Sequence, residues 1–102
     1  MVTYIAWVYL MTNELQTVIY TGFTTDLRTR VWEHSTRQNP GSFTARYKVD
    51  GLVYYQGFLS VAEAESVEKY IKGKNREWKC KRISDHNPKW RDLTDQVNES
   101  FK

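Results

Sequence analysis

Apolar and polar positions in the first third of the chain follow two different periods, and the change falls between Tyr20 and Leu27. Tyr4 to Met11 is rich in Tyr, Ile, Val and Trp, the residue types that suit a pleated surface. Alternation puts Trp7 and Tyr9 on one face of this strand and Val8 and Leu10 on the other. Thr12-Asn13-Glu14 is turn-forming, and Thr17-Val18-Ile19-Tyr20 is a second β-branched run, with Ile19 and Tyr20 facing opposite sides. The simplest arrangement of the two runs is an antiparallel hairpin. Gly22 is expected to form a tight turn directly after it, where a Cβ would obstruct the backbone.

From Leu27 the period becomes helical. Thr24 or Thr25 is the expected N-cap, with Asp26 in the first turn where its charge favours the helix dipole. Leu27 and Val31 form a narrow apolar stripe, and Arg30 and His34 run along its edge. Gln38 to Ser42 is a loop with strong breakers, and Phe43 to Lys48 contains a short helical turn carrying Arg46 and Tyr47. A third strand is expected over Leu52–Leu59. Ser60 with Glu63 fits a capping box, opening a helix whose buried face is Ala64, Val67 and Ile71. Glu68 sits at the boundary of that face, where an ion pair with Lys72 is its ordinary structural role. Gly73 and Asn75 mark a break and a new, strongly basic helix that Asn87-Pro88 ends. Trp90 and Leu93 pack a last segment back onto the body, and the remainder is a polar, frayed tail.

Composition narrows the class. The chain has 102 residues, and fifteen are aromatic (4 Trp, 7 Tyr, 4 Phe), enough for a core in one small domain. Cys80 is the single cysteine, which excludes an internal disulfide and a cysteine metal cluster. No apolar run approaches the ~20 residues of a membrane span, and the N-terminus lacks the features of a signal peptide. These features imply a reduced, cytoplasmic protein with no membrane contact. The net charge of +3 says little, but its distribution says more. Lys69 to Arg82 holds seven basic residues against Glu77 alone, a local +6 suited either to phosphate binding or to a solvated helix face.

Candidate chemistry comes by elimination. There is no phosphate-binding glycine loop and no dinucleotide fingerprint, so no small-molecule cofactor is implied. His34 and His86 show no zinc spacing with Cys80. What remains is Tyr9, Tyr20, Arg30, His34 and Glu68. Arginine offers a fixed fork to phosphate oxygens, and one carboxylate with waters can hold Mg²⁺. Tyrosine becomes a base only beside a cation or metal. Taken singly, each has an ordinary surface or core role.

Together these residues carry a family likeness. The stretch WVYLMTNELQTVIYTGFTTDLRTRVWEH resembles the GIY-YIG nuclease core, and nearly the whole chain looks like the small stand-alone bacterial members, similar to the N-terminal nuclease domain of the UvrC excision-repair subunit. Trp7-Val8-Tyr9 stands at the first motif and Tyr20-Thr21-Gly22 at the second. Arg30, His34 and Glu68 match the family's arginine, His/Tyr and metal-binding glutamate positions. The closing NPKWRDL is typical of the small members. Trp7 replaces the first motif's glycine, and Cys80 lies where several relatives carry an asparagine.

The resemblance implies an α+β fold, a three-stranded antiparallel sheet flanked by helices, over residues 1–94, with 95–102 as the tail. It also implies a metal-dependent endonuclease that cleaves DNA phosphodiester bonds in repair or processing, on branched or damaged DNA, with one Mg²⁺ or Mn²⁺ ion. Tyr9, Tyr20, Arg30, His34 and Glu68 are then the catalytic set, Glu68 holding the metal. Arg46, Lys72, Lys74, Arg76, Lys79, Lys81 and Arg82 are the expected nucleic-acid contacts. The competing expectations are a noncatalytic nucleic-acid-binding module on the same fold and a protein-interaction adaptor using the Trp-rich surface. The sequence leaves the oligomeric state open.

Overall fold

A computed structural model of the chain describes residues 3–36 and 41–100. Residues 38–40 of the expected loop lie outside the described residues. The element order is β1 (Ala6–Thr12), β2 (Ile19–Thr24), α1 (Leu27–Ser35), α2 (Phe43–Arg46), β3 (Gly51–Phe58), α3 (Val61–Lys72), α4 (Arg76–His86) and α5 (Thr94–Ser100). The three strands form one antiparallel sheet in the order β2-β1-β3, so β1 is central and buried on both sides. The fold is α+β, as expected.

Alternation along β1 divides the core in two. Ala6, Val8 and Leu10 pack with Ala64 and Ile71 of α3 and Ile83 of α4 on one face of the sheet. Tyr9 and Met11 pack on the other face with Leu27 and Val31 of α1 and Val97 of α5. Burial of both faces offsets the entropy of ordering a chain this short. The capping signals of the later helices hold. Ser60 Oγ accepts from the Glu63 amide, and Asn75 Oδ1 accepts from the Trp78 amide, so each starts its helix where the polar residue interrupts the apolar run.

Three expectations are corrected. The first concerns Gly22, which is no turn: it lies inside β2, paired with Tyr9. Its backbone is not left-handed; the absence of a side chain serves space instead. A Cβ built there would fall on Cζ and the hydroxyl of the Tyr9 ring, which lies across β2 at this point. The second concerns the cap of α1, which is Asp26 rather than a threonine; its side chain accepts from the Thr29 amide at 3.2 Å. Thr24 remains the last residue of β2, and its Oγ1 accepts from the Asp26 amide at 2.9 Å. The third concerns the tail, which is a helix docked on the body. Leu93 N–H donates to the Leu52 carbonyl at 2.7 Å, and Val97 is fully buried. Two apolar residues one turn apart suffice to seat α5, which is too sparse a stripe to read from an otherwise polar segment. Among the described residues, no helix is long and apolar enough to cross a membrane.

Candidate active site

Tyr9, Tyr20 and His34 come together on the α1 side of the sheet. Tyr9 reaches the site from the central strand, Tyr20 from the neighbouring strand, and His34 from the last turn of α1. The three rings form a triangle with centroid separations of 6.3 Å (Tyr9–Tyr20), 5.8 Å (Tyr9–His34) and 5.7 Å (Tyr20–His34). The Tyr9 hydroxyl meets His34 Nε2 at 3.1 Å. The glycine at position 22 creates this contact, because it lets the Tyr9 ring lie over β2 and extend toward α1. The missing side chain is a condition of the site.

A cleft of about 190 Å³ opens beside the triangle, lined by Tyr20, Arg30, Glu33, His34, Ser42, Phe43 and Thr44. Arg30 lies one helical turn before His34, and its Nε is 4.0 Å from Glu33 Oε1. Both of those side chains are about half exposed, so the pair constrains Arg30 weakly and leaves its fork available to an anion. Phe43 stacks on Tyr20 with centroids 6.2 Å apart, and Tyr47 packs on Phe43 at 4.7 Å. Arg46 lies over the Tyr47 ring at 5.9 Å, which places it in the same short helix as the cleft wall.

The electrostatics separate the two proton-bearing groups. Burial, then the nearby Tyr20, drives the Tyr9 phenol well above its ordinary range; Arg30 opposes this, while Glu68 and Glu33 add to it. Tyr9 is therefore a neutral hydroxyl at any physiological pH. His34 is pushed below its ordinary value by burial and then by Arg30, with Glu33 opposing. Burial and Arg30 thus both favour its neutral imidazole form.

Glu68 is on α3 and does not line the cleft. It is near enough for its charge to act on Tyr9. Its carboxylate pairs with Lys72 Nζ at 3.4 Å, and the glutamate side chain is only 18% exposed. Among the described residues, no three His, Cys, Asp or Glu side chains converge as a metal cluster.

The sequence matches the GIY-YIG catalytic domain over residues 5–82, a span that includes every residue of the triangle together with Arg30 and Glu68. The chain belongs to the GIY-YIG family. It is 37% identical over 82 residues, 80% of each chain, to a UPF0213 protein of Streptococcus pneumoniae serotype 4. A UPF0213 protein of Streptococcus agalactiae serotype V is also 37% identical, over 68 residues covering 67% of this chain and 76% of its own. The UPF0213 name states no activity. No solved structure matches the chain significantly. Membership places the protein in a nuclease family.

Most of the basic residues expected to hold nucleic acid also have a partner within this GIY-YIG domain, while Lys72 and Lys81 remain largely exposed. Arg76 donates to the carbonyls of Gln16 and Thr17, tying the start of α4 to the β1–β2 turn. Arg82 lies 5.7 Å from the Tyr54 centroid and 6.0 Å from that of Trp78, with its Nε buried. Lys74 covers the Tyr70 ring at 4.4 Å. Lys72 pairs with Glu68, and Lys81 with Asp85 at 3.0 Å. Lys79 is half-buried on α4. The asparagines near the family's asparagine position are likewise committed. Asn75 caps α4, and the amide of Asn87 donates to the carbonyls of Val53 and Arg91.

Thr44 and Ser42 are site residues that sequence reasoning passed over. Thr44 is buried with its Oγ1 2.8 Å from His34 Nδ1, and Ser42 Oγ is 3.2 Å from the same oxygen. Their signal was the Ser42 cap of a very short helix, but nothing local says which distant side chain such a helix meets.

Proposed function

We propose that this protein is a metal-assisted endonuclease that hydrolyses DNA phosphodiester bonds in the Arg30–His34 cleft, in DNA repair or processing. The observation that carries this reading is the hydrogen bond between the Tyr9 hydroxyl and His34 Nε2, beside a cleft whose wall includes Arg30.

Hydrolysis needs a group that takes a proton from water and a cation where negative charge builds up. A phenol with so high a pKa is a poor base by itself. Coupled to a neutral imidazole, it can accept the water proton on its oxygen while passing its own proton to Nε2. Arg30 grips the non-bridging phosphate oxygens. Tyr20 packs against both partners and fixes their rings. Glu68 fits a site for one Mg²⁺ or Mn²⁺ ion of the kind that keeps most of its waters, because it offers a single carboxylate close enough to act on Tyr9. Lys72 must release that carboxylate when the ion binds. Once bound, the ion would supply Lewis-acid neutralisation of the phosphate and the leaving oxygen.

DNA affinity in this reading rests on Arg46, on the short helix that carries Phe43 and Thr44 of the cleft wall, and on the amines of Lys72, Lys74, Lys79 and Lys81. The surface ion pairs among these exchange readily for phosphate. Arg76 and Arg82 contribute mainly through the fold. The competing reading is a noncatalytic nucleic-acid-binding module. The Lys72–Glu68 ion pair and the commitment of Asn75 and Asn87 to the fold favour it.

One experiment separates the two. Wild type and Glu68→Gln are incubated with supercoiled and branched DNA, with and without Mg²⁺. Cutting that needs both the ion and Glu68 supports the nuclease. Salt-sensitive binding without cutting on any substrate supports the binding module instead.

A further inference from the structure

The chain of hydrogen bonds behind His34 is longer than the proposed reaction uses. Ser42 Oγ accepts from the Ala45 amide at 3.2 Å as the cap of α2. It lies 3.2 Å from Thr44 Oγ1, which lies 2.8 Å from His34 Nδ1, and Nε2 lies 3.1 Å from the Tyr9 hydroxyl. Protons can be ordered along this chain in two ways. If Thr44 donates to Nδ1, then Nε2 carries the ring proton and donates to Tyr9, and the buried phenol's own O–H has no acceptor within the chain. If Nδ1–H donates to Thr44, then Nε2 is bare and accepts from Tyr9, while the Thr44 O–H passes to Ser42 Oγ. The second order satisfies every buried group.

We propose that Thr44 is a positioning residue whose hydroxyl accepts from His34 Nδ1–H and so keeps Nε2 unprotonated toward Tyr9. This rests on the reading that Tyr9 and His34 move the proton in phosphodiester hydrolysis. The balance is complete. Water loses a proton to the Tyr9 oxygen and Tyr9 loses its own to Nε2. The new oxygen–phosphorus bond forms as the bond to the leaving oxygen breaks, and that oxygen keeps the electron pair and takes a proton from solvent, to which the imidazolium returns its own. The imidazolium keeps its Nδ1–H on Thr44, so the charge it gains faces an oxygen lone pair. Burial of Thr44 at 4% exposure keeps water from competing for Nδ1. Without that hydroxyl the two neutral tautomers compete, and the fraction with Nε2 bare falls.

Thr44→Val keeps the shape and removes the hydroxyl; Thr44→Ser keeps the hydroxyl and removes a methyl. Nitrogen-15 NMR of the His34 ring reads the tautomer, thermal melting reads the fold, and steady-state cleavage gives kcat and KM separately. Wild type and Thr44→Ser are expected to show Nδ1 protonated and Nε2 bare. Thr44→Val loses that preference, and its kcat falls roughly 10- to 100-fold with KM within about twofold. Equal slowness of the Ser and Val variants would make Thr44 a packing residue and overturn the proposal. So would Nε2–H in wild type, a measurement that needs no variant to fold. If wild type cuts no DNA, the nuclease reading fails, and the NMR spectrum alone still decides the role of Thr44.

Discussion

The triangle of Tyr9, Tyr20 and His34 and the basic helix α4 both looked functional as sequence, and the fold treats them differently. In the triangle the Tyr9 hydroxyl and His34 Nε2 meet, and Tyr20 and His34 line a cleft. Most of the basic side chains from Lys72 to Arg82 have partners in their own chain: Arg76 on a turn, Arg82 beside two rings, and Lys81, still largely exposed, on Asp85. Convergence requires side chains from separate elements to meet, and it leaves a space open to a ligand. Charge density requires only a local run, and a folded chain readily uses such a run to cover aromatic rings and satisfy carbonyls. Spacing across elements therefore carries more information about a site than the number of charges.

Replacing Tyr9 with Phe tests the triangle most sharply. The ring and its packing remain and the proton path is cut, so single-turnover cleavage should fall on the order of 10²- to 10⁴-fold with little change in DNA affinity. A small loss would remove Tyr9 from the chemistry.

The pH profile tests the same pair. Reaction needs neutral His34, whose pKa lies below the ordinary 6.5 because of burial and Arg30. The midpoint of the acid limb of kcat/KM should therefore lie below pH 6.5. The stability contributed by the neutral ring has the same sense: it is present above the ordinary value and lost as pH falls through the lowered one. An acid limb above pH 6.5 would contradict this environment.

Gly22→Ala joins packing to function. Its Cβ must displace the end of the Tyr9 ring, costing about 1–3 kcal/mol by thermal or denaturant unfolding and lowering cleavage as well. An alanine variant of unchanged stability and rate would mean that the Tyr9 ring lies elsewhere.

The last two predictions address α4. Arg82→Ala should destabilise by about 1 kcal/mol through lost ring contacts while changing the salt dependence of DNA binding little. A fall of about one in the salt slope would return Arg82 to the phosphate surface. Lys81→Gln removes one partner of an exposed pair and should move stability by less than about 0.5 kcal/mol, read from the denaturant midpoint.

Much of the fold was legible in the residues. Alternation in β1 assigned Tyr9 and Val8 to opposite faces, and Ser60 and Asn75 marked helix starts correctly, because these signals act over a few residues. The helical edge carrying Arg30 and His34 was legible for the same reason. Gly22 was misread because a glycine serving space and a glycine serving a turn look alike until the ring above it is known. The docked α5 was missed because Val97 gains its weight from a core built by distant residues.

By itself, then, the sequence determined the local elements, their faces, and the residue types available for phosphodiester chemistry. Tertiary structure alone decided that Gly22 makes room for Tyr9, that Thr44 stands behind His34, and that Arg76 and Arg82 are bound into the fold. The reason is physical. Periodicity and capping are set by neighbours along the chain. The space above a glycine and the partner of an imidazole are set by residues tens of positions away, brought near only by burial of both faces of the sheet.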